Sequence, residues 1–405
     1  MNFPYFISKR ITSEANSSFS SIISKLAIIS ISVGLAAMIL AFFILGGFQQ
    51  TIKQKIYNFK GHLEITKYNM GNALDEKSIS FGSDFYVQKD EFEFIDHVQA
   101  FAYKPGLIKT QDEVEGVVYK GVDAQFDTTR FAVNMQSGRF IHHKEDGYSD
   151  EVILSKHIAN KLSMELGDKF MIHFVQNPPR FRRLQLVGIY ETGLEEFDKS
   201  VIIGDLGMIQ RLNEWNKDQV GGFEVFVKDK SKIDDAENIL FNAIDADLYV
   251  DKVSDKYNQI FDWLGLLNQN VTVFLGLILI VACFNMISIL LILILERTYM
   301  IGVLQALGAS KRQVKRIFLF KGMLLVTKGL VYGNLIALII ALIQDQFQLV
   351  PLDAANYYMY YVPISWDYES LIGLNVLTFL VVSLALGIPM TVVSRIKPIA
   401  AIRFN

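Results

Sequence analysis

The sequence predicts a membrane protein in which four transmembrane α-helices carry a large α+β extracytoplasmic domain between the first and the second. Three observations lead there. The 405 residues are 51% hydrophobic and 12% aromatic yet 20% charged, which fits membrane segments joined to a water-exposed domain. Four runs are long and apolar enough to cross a bilayer, whose hydrocarbon core of about 30 Å takes about 20 helical residues. About 200 residues of different patterning, enough for a folded core, separate the first two runs.

The first run is uncharged from Leu26 to Ile52, the second from Trp263 to Leu295 and the fourth from Leu371 to Ser394. The third, 317–343, is interrupted by Lys321 and Lys328. Both lysines lie in its first half, where their heads can snorkel to the headgroups. Orientation follows from the basic residues of the short loops. Lys9, Arg10 and Lys25 precede the first run; Arg297, Lys311, Arg312, Lys315 and Arg316 lie between the second and third; Arg395, Lys397 and Arg403 follow the fourth. The loop 344–370 holds Asp345, Asp353, Asp367 and Glu369 and no lysine or arginine. Both termini are therefore expected in the cytoplasm and the intervening loops outside.

The expected organisation is a cytoplasmic amphipathic segment 1–25, spans 26–52, 263–295, 317–343 and 371–394, and an outer domain 53–262 with an inserted lobe at 116–220. A cytoplasmic connection 296–316, a short outer loop 344–370 and a cytoplasmic tail 395–405 complete it. A net charge of −3 argues neither for nucleic acid nor for a polyanionic partner, and no nucleic acid is expected. The single cysteine, Cys283, lies in an apolar run, so no disulfide forms within the chain. The first run is too long for a signal-peptide core and lacks a small-x-small site after it, so it is expected to stay as an anchor.

In the outer domain, β-branched runs alternate with turn signals and amphipathic stretches. Strands are expected at 62–66, 117–122, 151–154, 170–175, 184–190, 200–203 and 223–227, and helices at 156–166, 206–215 and 233–243. Helical character extends beyond the second span: a helix from about Asp255 to Glu296 would be roughly 60 Å long and form a stalk, unless Gly265 breaks it. The tail of the first span, 49–59, is expected to pair with it.

Between the second and third spans, Met300, Val303, Leu304 and Leu307 fall at i, i+3, i+4 and i+7 and predict one apolar stripe on a short helix. Gly308 is placed to end it in a left-handed cap, and Ser310 with Gln313 forms a capping box for the next helix. Two readings stay open on these residues alone: the helix lies in the headgroups, or it docks a partner. His142 and His143 with Glu145 and Asp146 suggest a metal only weakly, because adjacent histidines on a strand point to opposite faces, and no metal is expected. Glu195, Glu196 and Asp198 read as a solvated acidic turn. Gly329-x-x-x-Gly333 and Ser30-x-x-x-Gly34 permit close helix packing, and Asn285 offers a hydrogen bond within the bundle or to a second subunit.

The string ERTYMIGVLQALGASKRQVKRIFLFKG resembles the cytoplasmic coupling segment of permeases of the FtsX/MacB superfamily, and SRIKPIAAIR resembles their closing signature, with Pro398, Ala400 and Arg403. ISVGLAAMILAFFILGGFQQTIKQKI followed by GHLEIT, together with VPLDAANYYMYYVPI, is similar to the lipoprotein-releasing (LolC/LolE-type) branch. The resemblance implies a MacB-like periplasmic core domain in a multi-pass protein of the bacterial inner membrane. It also implies a homo- or heterodimer of permease subunits with a separate ABC ATPase, which would hold the ATP and Mg. Its coupling residues would be Glu296, Arg297, Met300, Gly302, Val303, Leu304, Leu307, Gly308 and Ser310, with Met300 standing where relatives often have an acid. The work implied is mechanotransmission that releases lipoprotein or lipid-linked cargo, with no catalytic site and no cofactor in this chain. In agreement, the sequence has no Gly-x-x-x-x-Gly-Lys-Ser/Thr phosphate loop. One subunit of that branch recruits a periplasmic carrier through a hairpin; the corresponding stretch here is short, with Asn177, Pro178, Pro179 and Arg180 as candidate partner residues. The superfamily also contains MacB-like efflux permeases that work with an adaptor and a duct, and FtsX-like regulators of cell-wall hydrolases, which stand as alternatives.

Overall fold

The computed structural model describes residues 19–67, 77–110, 113–144, 147–353 and 357–393. Four helical stretches are long and apolar enough to cross a membrane: Phe19–Lys60, Asn258–Glu296, Lys311–Phe347, and Tyr368–Val392, in which helix Tyr368–Ala385 hands over to Gly387–Val393. The first, of 42 residues, is about 63 Å long and the second, of 39, about 58 Å. Each is roughly twice the hydrocarbon thickness. The second is unbroken through Gly265 and starts at Asn258, after a one-turn helix Val253–Lys256.

The chain divides into two compact units. One is helical, comprising Trp263–Pro351 with the chain before Thr51 and after Tyr360; the other comprises Thr51–Asp262 with Leu352–Tyr360.

In the helical unit, small residues set the closest approaches. A Cβ on Gly329 would lie 2.7 Å from the Ile31 side chain, and one on Gly333 would lie 2.9 Å from the Ser32 carbonyl. These glycines therefore let the first and third long helices touch. Ser32 Oγ donates to the Gly329 carbonyl at 3.0 Å. Asn334 and Asn375 exchange side-chain amide bonds of 2.7 and 2.9 Å between the third and fourth. Asn285 Nδ2 donates to Ser30 Oγ at 2.8 Å, so its bond is made within the bundle.

The other unit is built on twelve strands: β1 (Leu63–Lys67), β2 (Ile79–Ser80), β3 (Ile95–Lys109), β4 (Val114–Val122), β5 (Met135–Gly138), β6 (Glu151–Ser155), β7 (Lys169–Phe174), β8 (Arg180–Tyr190), β9 (Val201–Asp205), β10 (Gln219–Val220), β11 (Gly222–Val227) and β12 (Leu248–Lys252). Ten form one sheet, ordered β12-β1-β11-β3-β4-β9-β6-β8-β5, with β7 bonded to both β3 and β8. That double pairing closes β3, β4, β9, β6, β8 and β7 into a six-stranded ring. Closure removes the edges those six strands would otherwise expose, and β12 and β5 remain as the ends of the order. The segment 116–220 supplies five strands of the ring. The sixth, β3, runs on to pair with β11, so ring and outer sheet share a strand.

β3 is absent from the strands expected above because Pro105-Gly106 reads as a turn. Proline is tolerated there because the backbone nitrogen of Pro105 falls in the gap on β3 between pairing with β11, which stops at Phe101, and pairing with β7, which starts at Gly106. The helix expected at 156–166 stops at Lys161, and Ser163 takes a left-handed φ of 52°.

The first long helix is rooted in this unit by buried charge. Gly61 ends it at φ +76°, where a Cβ would lie 3.1 Å from the Val225 carbonyl, and His62 turns directly into β1. Lys120 of β4, fully buried, donates to the Phe59 carbonyl at 2.6 Å and to Glu224 at 2.7 and 3.0 Å. Gln99 donates to the same carboxylate at 2.7 Å. Glu64 pairs with Lys60 at 3.5 Å and with Lys256, which precedes the second long helix. Phe59 stacks on Phe197 with ring centroids 4.4 Å apart, and Tyr257 meets Phe197 edge-on at 5.4 Å. β1 and β12 are neighbours, with Leu63 opposite Lys252, so the chain enters and leaves this unit on adjacent strands.

Glu224→Gln leaves the Lys120 ammonium buried with weakened compensation and is expected to cost about 3–5 kcal/mol, read by chemical denaturation of the full chain. Lys120→Met with Glu224→Leu is expected to recover part of that, because it removes the buried charge but leaves the Phe59 carbonyl and the Gln99 amide without these partners. A loss under about 1 kcal/mol for Glu224→Gln would show that the pair does not hold the root.

His62 gives a pH signature. Its Nδ1 accepts the Val227 N–H at 3.0 Å, and burial, with Lys230 and Arg130 nearby, lowers its pKa to about 4 from an ordinary 6.5. The unfolded chain therefore binds the proton more readily than the folded one. The contribution is complete above pH 6.5 and is lost as pH falls towards 4, about 3 kcal/mol in all. Half-buried Asp123, raised to about 6 by desolvation, acts with the opposite sign in the same window. The measurement is thus the stability of the wild type minus that of His62→Asn, which is expected to fall between those pH values; a flat difference would contradict the assignment.

Candidate functional site

Between the second and third long helices the chain turns twice within a dozen residues. Thr298 Oγ1 donates back to the Leu295 carbonyl at 2.6 Å, and a helix Thr298–Ala306 begins. It ends in a Schellman motif: the Ala309 N–H reaches the Leu304 carbonyl at 2.9 Å and the Gly308 N–H the Gln305 carbonyl at 3.1 Å, with Gly308 at φ +97°. Ser310 then caps the third long helix. Its Oγ accepts from the Gln313 N–H at 3.3 Å, and Gln313 Oε1 accepts from the Ser310 N–H at 2.8 Å. A nine-residue helix is marginal by itself; caps at both junctions and packing make it a fixed bracket.

The packing differs from the expected stripe. Ile301 is the anchor, fully buried among Leu290, Leu293, Ile294, Val314 and Phe318, with Gly302 buried beside it. Met300 packs against the same core while half-buried, as are Val303, Leu304 and Arg297. Leu307 is 81% exposed and Tyr299 55%, and Glu296, Gly308 and Ser310 are exposed as well. The outward apolar face is thus Tyr299, Val303 and Leu307, spaced i, i+4, i+8. Of the expected stripe, Met300, Val303 and Leu304 are half-buried and Leu307 is exposed, while Ile301, outside that stripe, turns inward. Exposed Lys311, Arg312 and Arg316 follow in sequence.

A second constellation lies in the sheet-containing unit. Lys55, on the first long helix, donates to the Thr192 carbonyl at 2.5 Å and the Tyr358 carbonyl at 2.7 Å. Tyr358 adopts φ +62°, and Gly193 at φ +76° makes room for its carbonyl. The Tyr360 hydroxyl donates to Glu191. Below them Asp198 accepts the Thr192 N–H at 3.0 Å, its hydroxyl at 2.8 Å and the Gly193 N–H at 2.8 Å. Burial nevertheless holds the Asp198 carboxyl above the usual range. Asp198 is therefore a structural acid, which corrects the reading of 195–198 as merely a solvated turn. Lys55 joins the first helix, the loop after β8 and the segment preceding the fourth helix, and no local pattern in the sequence signals that.

Asn177, Pro178 and Pro179 form the turn between β7 and β8. Arg180 is not free to face a partner: it donates to the Leu212 carbonyl at 3.2 Å and to Glu214 at 2.5 Å, bracing the end of helix Leu206–Asn213. The exposed residue of that hairpin is Phe181, 60% accessible and 6.0 Å from the His173 ring. His143 faces Asp205 at 3.6 Å, whereas Glu145 and Asp146 lie outside the described residues. Among the described residues no three His, Cys, Asp or Glu side chains come together as a metal site. Pro398, Ala400 and Arg403 also lie outside them.

Residues 24–240 match the MacB-like periplasmic core domain, and residues 272–398 match the FtsX-like permease C-terminal region. The chain is 24% identical over 353 residues to the lipoprotein-releasing system transmembrane protein LolE of Haemophilus influenzae, spanning 84% of this chain and 83% of that protein. It is 20% identical over 411 residues to the LolC protein of the same system in Xylella fastidiosa, spanning 96% and 95%. To LolC of Neisseria meningitidis it is 22% identical over 410 residues, again spanning 96% and 95%. Of solved structures, the periplasmic region of MacB from Actinobacillus actinomycetemcomitans covers 49% of this chain and 92% of its own at 12% identity and a TM-score of 0.33. The extracellular domain of the noncanonic ABC-type transporter YknZ from Gram-positive bacteria covers 47% and 99% at 16% identity and a TM-score of 0.32. With its core-domain match extending over more than half of the sequence, the chain belongs to the family of FtsX-like permeases that carry a MacB-like periplasmic core domain.

Proposed function

We propose that this chain is the permease subunit of an ABC-type machine in a bacterial inner membrane, driven by a separate ATPase that holds ATP and Mg. Its work is the release of lipoproteins, or the extraction of other lipid-linked cargo, from the outer leaflet. The observation that carries the mechanical part is the bracket Thr298–Ala306, fixed inward by Ile301 and presenting Leu307 outward at 81% exposure. An exposed leucine on a capped helix between two long helices suits a partner that pushes. A push there moves the adjoining ends of the second and third long helices, and the second is continuous for 39 residues. The cargo is supported by relatives named as lipoprotein-releasing proteins, which match along almost the whole chain. A second permease subunit completes the machine, and both termini face the cytoplasm.

The test is reconstitution with the partner ATPase in lipoprotein-loaded proteoliposomes, where ATP-dependent release is expected. Hydrolysis without release of any lipoprotein supplied would reject the cargo. Leu307→Asp is expected to abolish ATPase association while membrane insertion persists; unchanged association would reject the interface.

The Lys55 junction gives a separate readout. Lys55→Met removes two charge-assisted bonds, each worth about 1.5–3 kcal/mol. It is expected to leave ATP hydrolysis intact and to lower release roughly tenfold or more, each ~1.4 kcal/mol being a factor of ten. Release at the wild-type rate would remove the junction from the transmission path.

A further inference from the structure

In the helical unit a groove of about 390 Å³ runs between the first and third long helices, lined by Lys25, Ile29 and Val33 of one and by Tyr332 and Ile336 of the other. The spacing is regular. Lys25, Ile29 and Val33 follow at i, i+4 and i+8, as do Lys328, Tyr332 and Ile336, so each triplet shares one helix face. All six side chains are exposed. Gly329 abuts Ile31 and Gly333 abuts Leu35, so the two helices ascend in the same direction. The lysine of each triplet therefore lies at the same end. The floor polar group is already satisfied, because Ser32 Oγ donates to the Ile28 carbonyl at 2.7 Å and the Gly329 carbonyl at 3.0 Å.

The groove thus has apolar walls with Lys25 in its lining at one end, and Lys328 stands one turn before Tyr332 on the same helix face. Among the described residues neither Lys25 nor Lys328 has a carboxylate partner. Lys328 lies within an apolar run, where an uncompensated charge is costly. An amphiphile with an anionic head and an acyl tail complements each part: the head meets the two ammonium groups, and the tail replaces hydrocarbon along the walls.

We propose that this groove binds one anionic glycerophospholipid from the leaflet that Lys25 faces. Its phosphate sits between Lys25 and Lys328, and an acyl chain lies along Ile29, Val33 and Ile336. The site is separate from the proposed cargo path and does not depend on what the cargo is.

The full chain is placed in nanodiscs of equal phosphatidylglycerol and phosphatidylcholine, released, and the lipid it retains is measured by native mass spectrometry. Phosphatidylglycerol is expected to be retained over phosphatidylcholine by roughly thirtyfold, from about two lysine–headgroup attractions. Lys25→Gln with Lys328→Gln is expected to abolish the preference, and Val33→Trp, which fills the groove, to remove the retained lipid. Lys53→Gln, towards the other end of the first helix, is expected to change nothing. Equal retention of the two lipids, or a preference that survives the double substitution, would overturn the proposal. So would efficient crosslinking of two chains through Val33→Cys, which would make the groove a subunit interface.

Discussion

A lysine with no access to water holds the end of a helix to a sheet. The last carbonyls of any helix lack an intrahelical donor, and the end carries partial negative charge. Here Lys120 reaches up from β4 to the Phe59 carbonyl, and Glu224 from β11 holds the same ammonium. Burying one charge alone would cost several kcal/mol, so lysine, carboxylate and carbonyl are mutually obligatory. The arrangement also ties β4 to β11, which are not neighbours in the sheet but flank β3. The root of the first long helix is therefore held by strands distant from it in sequence.

The helical unit is held differently. Its apolar surfaces gain little from burial against one another in lipid, so its contacts are short-range: glycines that let backbones approach, and side-chain amides that pair. The Asn334–Asn375 exchange and the Ser32–Gly329 bond tie the third helix to two neighbours. Outside that packing lies the Thr298–Ala306 bracket. Its caps satisfy its own backbone and Ile301 fixes it to the core, which leaves Leu307 without a partner among the described residues.

The apolar helices were legible from sequence because membrane thickness imposes a length rule that few other structures meet. Gly308 and the Ser310–Gln313 cap were legible because each is a local device with a chemical signature. What local pattern could not carry was long-range. Lys120 and Glu224 read as surface charges on strands, since nothing near either announces the other. Pro105 reads as a breaker because the sequence does not show that β3 changes partners there. Lys55 joins Thr192 and Tyr358 across 137 and 303 positions, beyond any window. Ile301 is not legible as the inward anchor, because five apolar residues within the six positions 299–304 leave open which of them turns to the bundle.

The placement of the two helix roots limits how the sheet-containing unit can deform. β1 follows the first long helix and β12 leads to the second, and the two strands pair along five residues of β1, from Leu63 to Lys67. Across that pair Glu64 takes Lys60 from one root and Lys256 from the other, within a fully buried carboxylate's reach. Burial alone would raise Glu64, yet Lys60, Lys256 and Lys120 together hold it below its ordinary range. Sliding one root past the other would break both ion pairs and the strand ladder at once, leaving charge in a dry interior. Moving both roots together breaks neither. The cheaper response to a pull on either helix is therefore rigid displacement of the roots with the sheet that carries them.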